Sequence, residues 1–127
     1  MKKQKFREFV TLNKTKILAG KDAESNEMLI AQVEKDEEVF HTALPGSPFV
    51  NIKGKPKKED IKKAAIICAR YSRDWKNNKK DVLIHRFKGK DIYKEKNMEK
   101  GTFGVNRVKI IKVKRNEIED FEKKKHI

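Results

Sequence analysis

The residues able to do acid–base or nucleophilic chemistry are three histidines and one cysteine. His41 stands just before a Pro-Gly-Ser turn at 45–47, whereas His85 lies in an apolar run and His126 in the tail. Cys68 lies in an apolar helical pattern, and no GxSxG motif supplies a nucleophile. No Cys/His cluster has the spacing of a metal site. We therefore predict no catalytic residue, no metal and no cofactor; an enzyme would have to use His41 as its acid–base group.

The charge of the chain points to a polyanionic partner. The net charge is +14, from 33 Lys plus Arg against 19 Asp plus Glu. Such a field suits a nucleic acid, because each neutralised phosphate releases condensed counterions. A lysine-rich proteome is the alternative explanation. The charge therefore favours nucleic acid without excluding an acidic protein.

Membrane association is not expected. The longest apolar run, 64–69, is too short to span a bilayer, and no basic amphipathic helix with large apolar residues stands out. The first residues lack the apolar stretch and cleavage site of a secretory signal. The expected location is the cytoplasm.

Alternation of apolar and polar residues predicts strands, and apolar spacings of three and four predict helices, which must position these residues. Gly20 ends a predicted hairpin, and Ser25 or Asn26 could cap a short helix after it. Strands are predicted at 6–12, 16–20, 37–44, 47–53, 81–87, 90–96 and 101–115. The residues from 116 onward could form a short helix or a frayed tail.

The clearest helix is predicted over about 58–75. Its apolar face has spacings of three and four and comprises Ile61, Ala64, Ala65, Cys68, Ser72 and Trp75. The fold class is therefore α+β (α/β): a mostly antiparallel sheet with this long helix packed on it and shorter helices besides. We expect a single domain over 1–127, with a core at about 6–114 and basic ends that could fray.

A basic surface on this helix and its flanking strands predicts a groove for a polyanion. The opposite helix face carries Lys62, Lys63, Arg70 and Arg73, followed by Lys76. Lys21 after Gly20 could contact a single phosphate. Tyr71 could stack on a base, although its place in the wide apolar stripe favours the core.

Four segments together resemble a known family. They are AGKDAESNE, FHTALPGS, IKKAAIICARYSRDW and KGTFGV. In this order they resemble the NFACT-R domain, the RNA-binding module on the carboxy side of ribosome quality-control factors. The resemblance covers roughly residues 8–114.

The resemblance also implies which residues form the site. Matching positions are Gly20, Lys21, Asn26, Glu27, His41, Pro45, Gly46, Ser47, Ala65, Ala69, Tyr71, Ser72, Gly101 and Gly104. Together with the basic residues, this predicts an RNA site made of Lys21, Asn26, His41, Ser47, Arg70, Tyr71, Ser72, Arg73 and Lys76. Four positions depart from the family pattern: Asp22, Glu37, Val39 and Pro48, the last where a second histidine is common.

The resemblance implies a non-catalytic, ribosome-associated module that binds tRNA or ribosomal RNA in translation quality control or RNA metabolism. A protein partner could supply the modules of the large factors that this chain lacks. Two alternatives stay open: an accessory subunit or enzyme of tRNA modification, and a general binder of DNA or other polyanions.

Overall fold

The computed structural model of the chain describes residues 6–125, without the side chain of Lys125. The first five residues, His126 and Ile127 lie outside the described residues, and with them the predicted basic lead-in and the third histidine. The strands are β1 Arg7–Val10, β2 Lys16–Ala19, β3 Glu38–Thr42, β4 Val50–Ile52, β5 Val82–Lys88, β6 Ile92–Tyr93, β7 Gly104–Val105 and β8 Lys109–Val113. The helices are α1 Ala23–Ala31, α2 Lys58–Arg70, α3 Arg73–Asn78 and α4 Arg115–Lys125.

Six strands form one sheet in the order β1-β2-β4-β3-β5-β8, and every neighbouring pair is antiparallel. Strands β6 and β7 pair separately as a short antiparallel ribbon. The predicted α+β fold class, with an antiparallel sheet and a helix packed on it, is confirmed.

The helix predicted over 58–75 is wrong at its end. Helix α2 ends at Arg70, and α3 begins three residues later with Ser72 as its N-cap. The Ser72 hydroxyl accepts a hydrogen bond from the Trp75 N–H at 3.1 Å and donates one to the Ala69 carbonyl at 2.6 Å. Because Trp75 is buried on α3, the apolar spacing continues across the break and hides it.

Two other predicted boundaries also differ. Asp22, not Ser25 or Asn26, caps α1, since its carboxylate accepts the Ser25 N–H at 2.8 Å. The single strand expected over 101–115 is two short strands, β7 and β8.

Each face of the sheet has its own apolar core. On one face, aliphatic residues of α2 and Trp75 of α3 pack on strand residues such as Ile17, Phe40 and Ile84. Helix α4 joins them through Ile118, which is fully buried, so the core continues beyond position 114. On the other face, Leu29 of α1 packs on Val39, Phe49 and Phe87, with Phe103 and Val105 alongside.

Asp60 ties α2 to the β1–β2 hairpin. Its carboxylate accepts hydrogen bonds from the Lys57 N–H at 2.8 Å, the Thr15 hydroxyl at 2.9 Å and the Asn13 amide at 3.3 Å. Burial raises the pKa of Asp60, but these bonds outweigh it and lower the pKa to about 2. The ionised carboxylate therefore fixes the start of α2 against the hairpin loop.

Candidate nucleic-acid interface

A cleft of about 970 Å³ opens where β2 and β3 end and β4 begins. Its walls are the turn from β2 to α1, the loop from β3 to β4, the start of α3 and the segment at 99–103. Among its lining residues are six of the predicted site residues: Lys21, Asn26, His41, Ser47, Tyr71 and Arg73. The structure therefore brings together side chains up to 52 positions apart in the sequence, those of Lys21 and Arg73.

The Pro-Gly-Ser turn holds the beginning of α3. The Arg73 N–H donates to the Gly46 carbonyl at 2.7 Å, and Gly46 has a φ of 92°. A Cβ at this position would lie 3.0 Å from Cβ of Arg73, so the turn requires glycine for both reasons. The Ser47 hydroxyl accepts the Thr42 N–H at 3.0 Å and donates to the Pro48 carbonyl at 3.1 Å. Ser47 thus shapes the turn, against which the exposed Arg73 lies.

Asn26 joins α1 to the floor of the cleft. Its side-chain oxygen accepts the Phe49 N–H at 3.1 Å, and Asn26 is 8% exposed. A Cβ at Gly20 would collide with that oxygen, so the strand can pass α1 only with glycine there. Lys21 follows directly and is exposed at the rim.

His41 lies in the middle of the cleft. It faces His85 across the β3–β5 pair, and its ring centroid is 4.4 Å from that of Phe49. Nδ1 is 2.9 Å from the Thr42 carbonyl oxygen, so we assign the proton to Nδ1, which leaves Nε2 as an acceptor. Burial lowers the pKa of His41; the Thr42 bond opposes this, and the nearby His85 adds to it. His41 is therefore neutral at pH 7.

The segment at 99–103 forms one wall and is held by Glu27. The Glu27 carboxylate accepts the Gly101 N–H at 2.6 Å and the Lys94 ammonium at 2.7 Å. These two bonds lower the pKa of Glu27. Phe103 is consequently set edge-on to Phe49, with ring centroids 5.4 Å apart. Glu27 and Gly101, which both match the family pattern, thus contact each other directly.

The sequence did not single out Arg7 or His85 as site residues, although both line the cleft. The Arg7 guanidinium lies 4.2 Å from the Tyr71 ring centroid and donates to the Gly20 carbonyl at 3.0 Å. Only strand pairing brings Arg7 to the cleft, so no local pattern could have identified it. His85 could be identified only from the β3–β5 register, which pairs it with His41. The cleft therefore has a second histidine, although Pro48 stands where the family pattern has a histidine after the turn.

Three predicted site residues do not line the cleft. The Nε atom of Arg70 is 2.8 Å from a Glu122 carboxylate oxygen, a close ion pair without hydrogen-bond geometry. Ser72 is buried and caps α3. Lys76 is exposed on α3 but outside the lining. Tyr71 does line the cleft, yet it is flanked by Arg7 and by Arg70, whose guanidinium is 5.0 Å from the ring centroid.

The cations of α2 are matched by α4. Lys62 lies 3.0 Å from the Glu117 carboxylate, and the Lys63 ammonium lies 5.3 Å from the Phe121 ring centroid. Together with the Arg70–Glu122 pair, these contacts occupy the basic face that was expected to form the groove. Within residues 6–125, by contrast, no ion pair is formed by the three cations of the cleft, Arg7, Lys21 and Arg73.

Neither a metal cluster nor a membrane span is found in the part of the chain that the structure describes. No three His, Cys, Asp or Glu residues there are grouped so that they could hold a metal ion. None of its helices is long and apolar enough to cross a bilayer. Cys68 is buried, and burial raises the pKa of its thiol to about 12, which leaves it unreactive.

Comparison with known proteins gives a family, a relative and a fold. The family described as the NFACT protein RNA-binding domain matches residues 5–107. Over 77 residues the chain is 36% identical to the archaeal Rqc2 homolog aRqcH of Methanocaldococcus jannaschii, which covers 58% of this chain and 11% of that protein. The chain thus spans about a tenth of the length of this curated relative.

A solved structure shares the fold. It is the C-terminal part of the fibronectin/fibrinogen-binding protein from Streptococcus suis, with a TM-score of 0.79 and 24% identity. The similarity covers 94% of this chain and 50% of that one. At this identity the similarity concerns the fold alone.

Proposed function

The chain belongs to the NFACT RNA-binding domain family, and we propose that it is a non-catalytic module that binds tRNA or ribosomal RNA in translation quality control. The family match over residues 5–107 is the observation that carries the proposal. The relationship to an archaeal Rqc2 homolog supports the association with the ribosome. We place this activity in the cytoplasm.

The cleft supports the proposal through its charges. Arg7, Lys21 and Arg73 line the cleft and form no ion pair within residues 6–125, so their charge is available to an external anion. The lining also contains Asp22 and Glu99, but the Asp22 carboxylate is engaged in capping α1. Three unpaired cations gathered around a partly apolar cleft suit an RNA strand better than a uniformly charged polyanion.

A partner protein is part of the proposal. The match covers about a tenth of the archaeal relative, and the proposed partner would act together with this domain. Binding RNA to a module of this kind would position a partner on the ribosome rather than carry out chemistry.

One observation favours a second candidate, an accessory or catalytic role in tRNA modification. His41 is neutral and keeps Nε2 as an acceptor, as a general base requires. A His41→Ala protein that binds RNA as before but loses a defined turnover would support that role. Unchanged turnover would remove it.

The test of the main proposal is tRNA binding measured across a salt series. If at least the three cleft cations contact phosphates, log K should fall against log[salt] with a slope of about −2 or steeper. A flat dependence would contradict the proposal. Competition separates the third possibility: heparin and single-stranded DNA should displace tRNA weakly, whereas a general polyanion binder would be displaced equally by all three.

A further inference from the structure

The cleft forms a channel that runs across the strands. Its lining adjoins all six strands of the main sheet in their spatial order: Arg7, Gly20, Phe49, His41, His85 and Val108. Five strand spacings of about 4.8 Å make the channel roughly 24 Å long. The volume of the channel is about 970 Å³.

The concave shape of the channel favours one of two forms of RNA. Proteins read double-stranded RNA over its outer surface, across about 16 base pairs, whereas unpaired bases can be received in a concave site. A concave channel across the sheet therefore suits a single unpaired strand.

The two ends of the channel have different chemistry. At the β1–β2 end, Arg7 bonds the Gly20 carbonyl and Lys21 follows that residue. Arg73 packs against Gly46 in the turn between β3 and β4. At the β8 end, Val108 lines the channel and is 42% exposed. Phosphates match the first end, and the faces of unpaired bases match the second.

His41 lies between these ends, and within residues 6–125 its Nε2 atom has no hydrogen-bond partner. Nδ1 is bonded to the Thr42 carbonyl and the ring packs on Phe49, which fixes its orientation. Nε2 is left as an acceptor in a partly buried position. Of the groups on a nucleic-acid backbone, the ribose 2′-hydroxyl is the one that can donate to it, and DNA lacks this group.

We infer that the channel binds a short single-stranded RNA segment across the strands, with phosphates at Arg7, Lys21 and Arg73 and a 2′-hydroxyl donating to Nε2 of His41. This inference rests on the proposed function and specifies which part of an RNA is bound. Loops and unpaired ends of tRNA or ribosomal RNA would be its natural targets.

The first test needs no substitution. Binding of a 12-nucleotide oligouridine, its oligodeoxyuridine equivalent and a blunt 12-base-pair RNA duplex is measured by fluorescence anisotropy at 0.1 M salt. The single RNA strand should bind about threefold to tenfold more tightly than the single DNA strand. It should also bind more tightly than the duplex. Preference for the duplex would overturn the inference but leave the proposed function intact. If none of these three nucleic acids binds, and tRNA does not bind either, the proposed function itself is contradicted.

The second test assigns the contacts. His41→Phe keeps an aromatic ring on Phe49 but removes the acceptor, so the RNA-over-DNA ratio should fall to about one. Arg7→Gln should weaken both strands equally, by about fivefold at 0.1 M salt, and keep the ratio. Lys62→Gln, with the same loss of charge outside the channel, serves as the control. Thermal unfolding verifies that each variant is folded. An unchanged ratio in folded His41→Phe would contradict the assignment of the 2′-hydroxyl.

Discussion

The surface between α2 and α4 and the cleft are both rich in cations, but they use them in opposite ways. On the α2–α4 surface, Lys62 and Arg70 each have a glutamate of α4 within 3.0 Å. In the cleft, Arg7, Lys21 and Arg73 have no ion pair with residues 6–125. The sequence favoured the first surface because its lysines and arginines are close together in the chain.

The comparison shows that charge density along a sequence does not locate a polyanion site. An exposed ion pair contributes little to stability, at most about 1 kcal/mol, but it removes most of the local potential that a phosphate would meet. Cations brought together from distant segments, and left without partners, keep that potential. We therefore expect neutralisation of the cations on the α2–α4 surface to leave RNA binding nearly unchanged, and neutralisation of the cations in the cleft to weaken it.

The largest effect on stability should come from Ile118→Ala. This α4 side chain is fully buried against α2 and the sheet, so its truncation should lower the free energy of unfolding by about 3 kcal/mol. Urea unfolding measures the loss, and RNA affinity below the transition should stay within threefold. Leu12→Ala, at a fully exposed position, is the matched control and should change stability by less than about 0.5 kcal/mol. A parallel loss of RNA affinity would show that the two regions are not independent.

Asp60→Ala should have the next largest effect. It leaves the Lys57 N–H, the Thr15 hydroxyl and the Asn13 amide without their acceptor, at a cost of roughly 2 kcal/mol. Asp120→Ala, on the exposed part of α4, is the control.

The same residue predicts a dependence of stability on pH. The pKa of Asp60 is about 2 in the folded protein against an ordinary value of 3.8, so the unfolded state takes up the proton first. Its contribution is therefore fully present above pH 4 and is lost as the pH falls toward 2. Urea midpoints over this range should fall less steeply in Asp60→Ala than in the wild type. Equal slopes would contradict the role of Asp60 as an ionised acceptor.

Glu27→Gln should affect the cleft more than the fold. It weakens the contacts to Lys94 and Gly101 that place Phe103 against Phe49, at a cost of about 1 kcal/mol in stability. We expect RNA affinity to fall by about threefold as this wall loosens. Glu24→Gln, an exposed change on the same helix, should alter neither quantity. Unchanged RNA binding by Glu27→Gln would remove the 99–103 segment from the site.

Glu117→Gln should have the smallest effect on stability and the opposite effect on binding. The loss of the Lys62 ion pair should change stability by less than about 0.5 kcal/mol. The released lysine should strengthen RNA binding by about twofold to fivefold at 0.1 M salt. Asp120→Asn makes the same change of charge on α4 with no ion pair at 3.0 Å to break. Equal gains in RNA affinity in the two variants would contradict the claim that ion pairing prevents the α2–α4 surface from binding RNA.

Local patterns predicted much of the fold. The β1–β2 hairpin, the Pro-Gly-Ser turn between β3 and β4, and the body of α2 follow from alternation, turn residues and helical spacing. The break at Ser72 was missed because a buried Trp75 continues the apolar spacing into α3. A serine followed by Asp74 in the first turn of a helix was the capping signal that could have revealed it.

The site was predicted less completely, because it depends on pairing between distant strands. The family pattern identified Lys21, Asn26, His41 and Ser47, which line the cleft. Arg7 and His85 reach it only through the β1–β2 and β3–β5 registers, which a single sequence does not reveal. The neutralisation of Arg70 by Glu122 likewise follows from the packing of α4 on α2, over a separation of 52 positions.

The most direct test compares two proteins that have lost the same charge from the two regions. The cleft variant combines Arg7→Gln, Lys21→Gln and Arg73→Gln. The control variant combines Lys62→Gln and Lys63→Gln on α2 with Lys112→Gln on β8, which borders the α2–α4 surface and is 3.8 Å from Asp81. Both lower the net charge from +14 to +11. At 0.1 M salt the cleft variant should bind tRNA about 100-fold more weakly than the wild type, with a salt slope less negative by about 2. The control variant should stay within about threefold of the wild type. Equal losses in the two variants would contradict the claim that unpaired cations in the cleft, rather than total charge, bind the RNA.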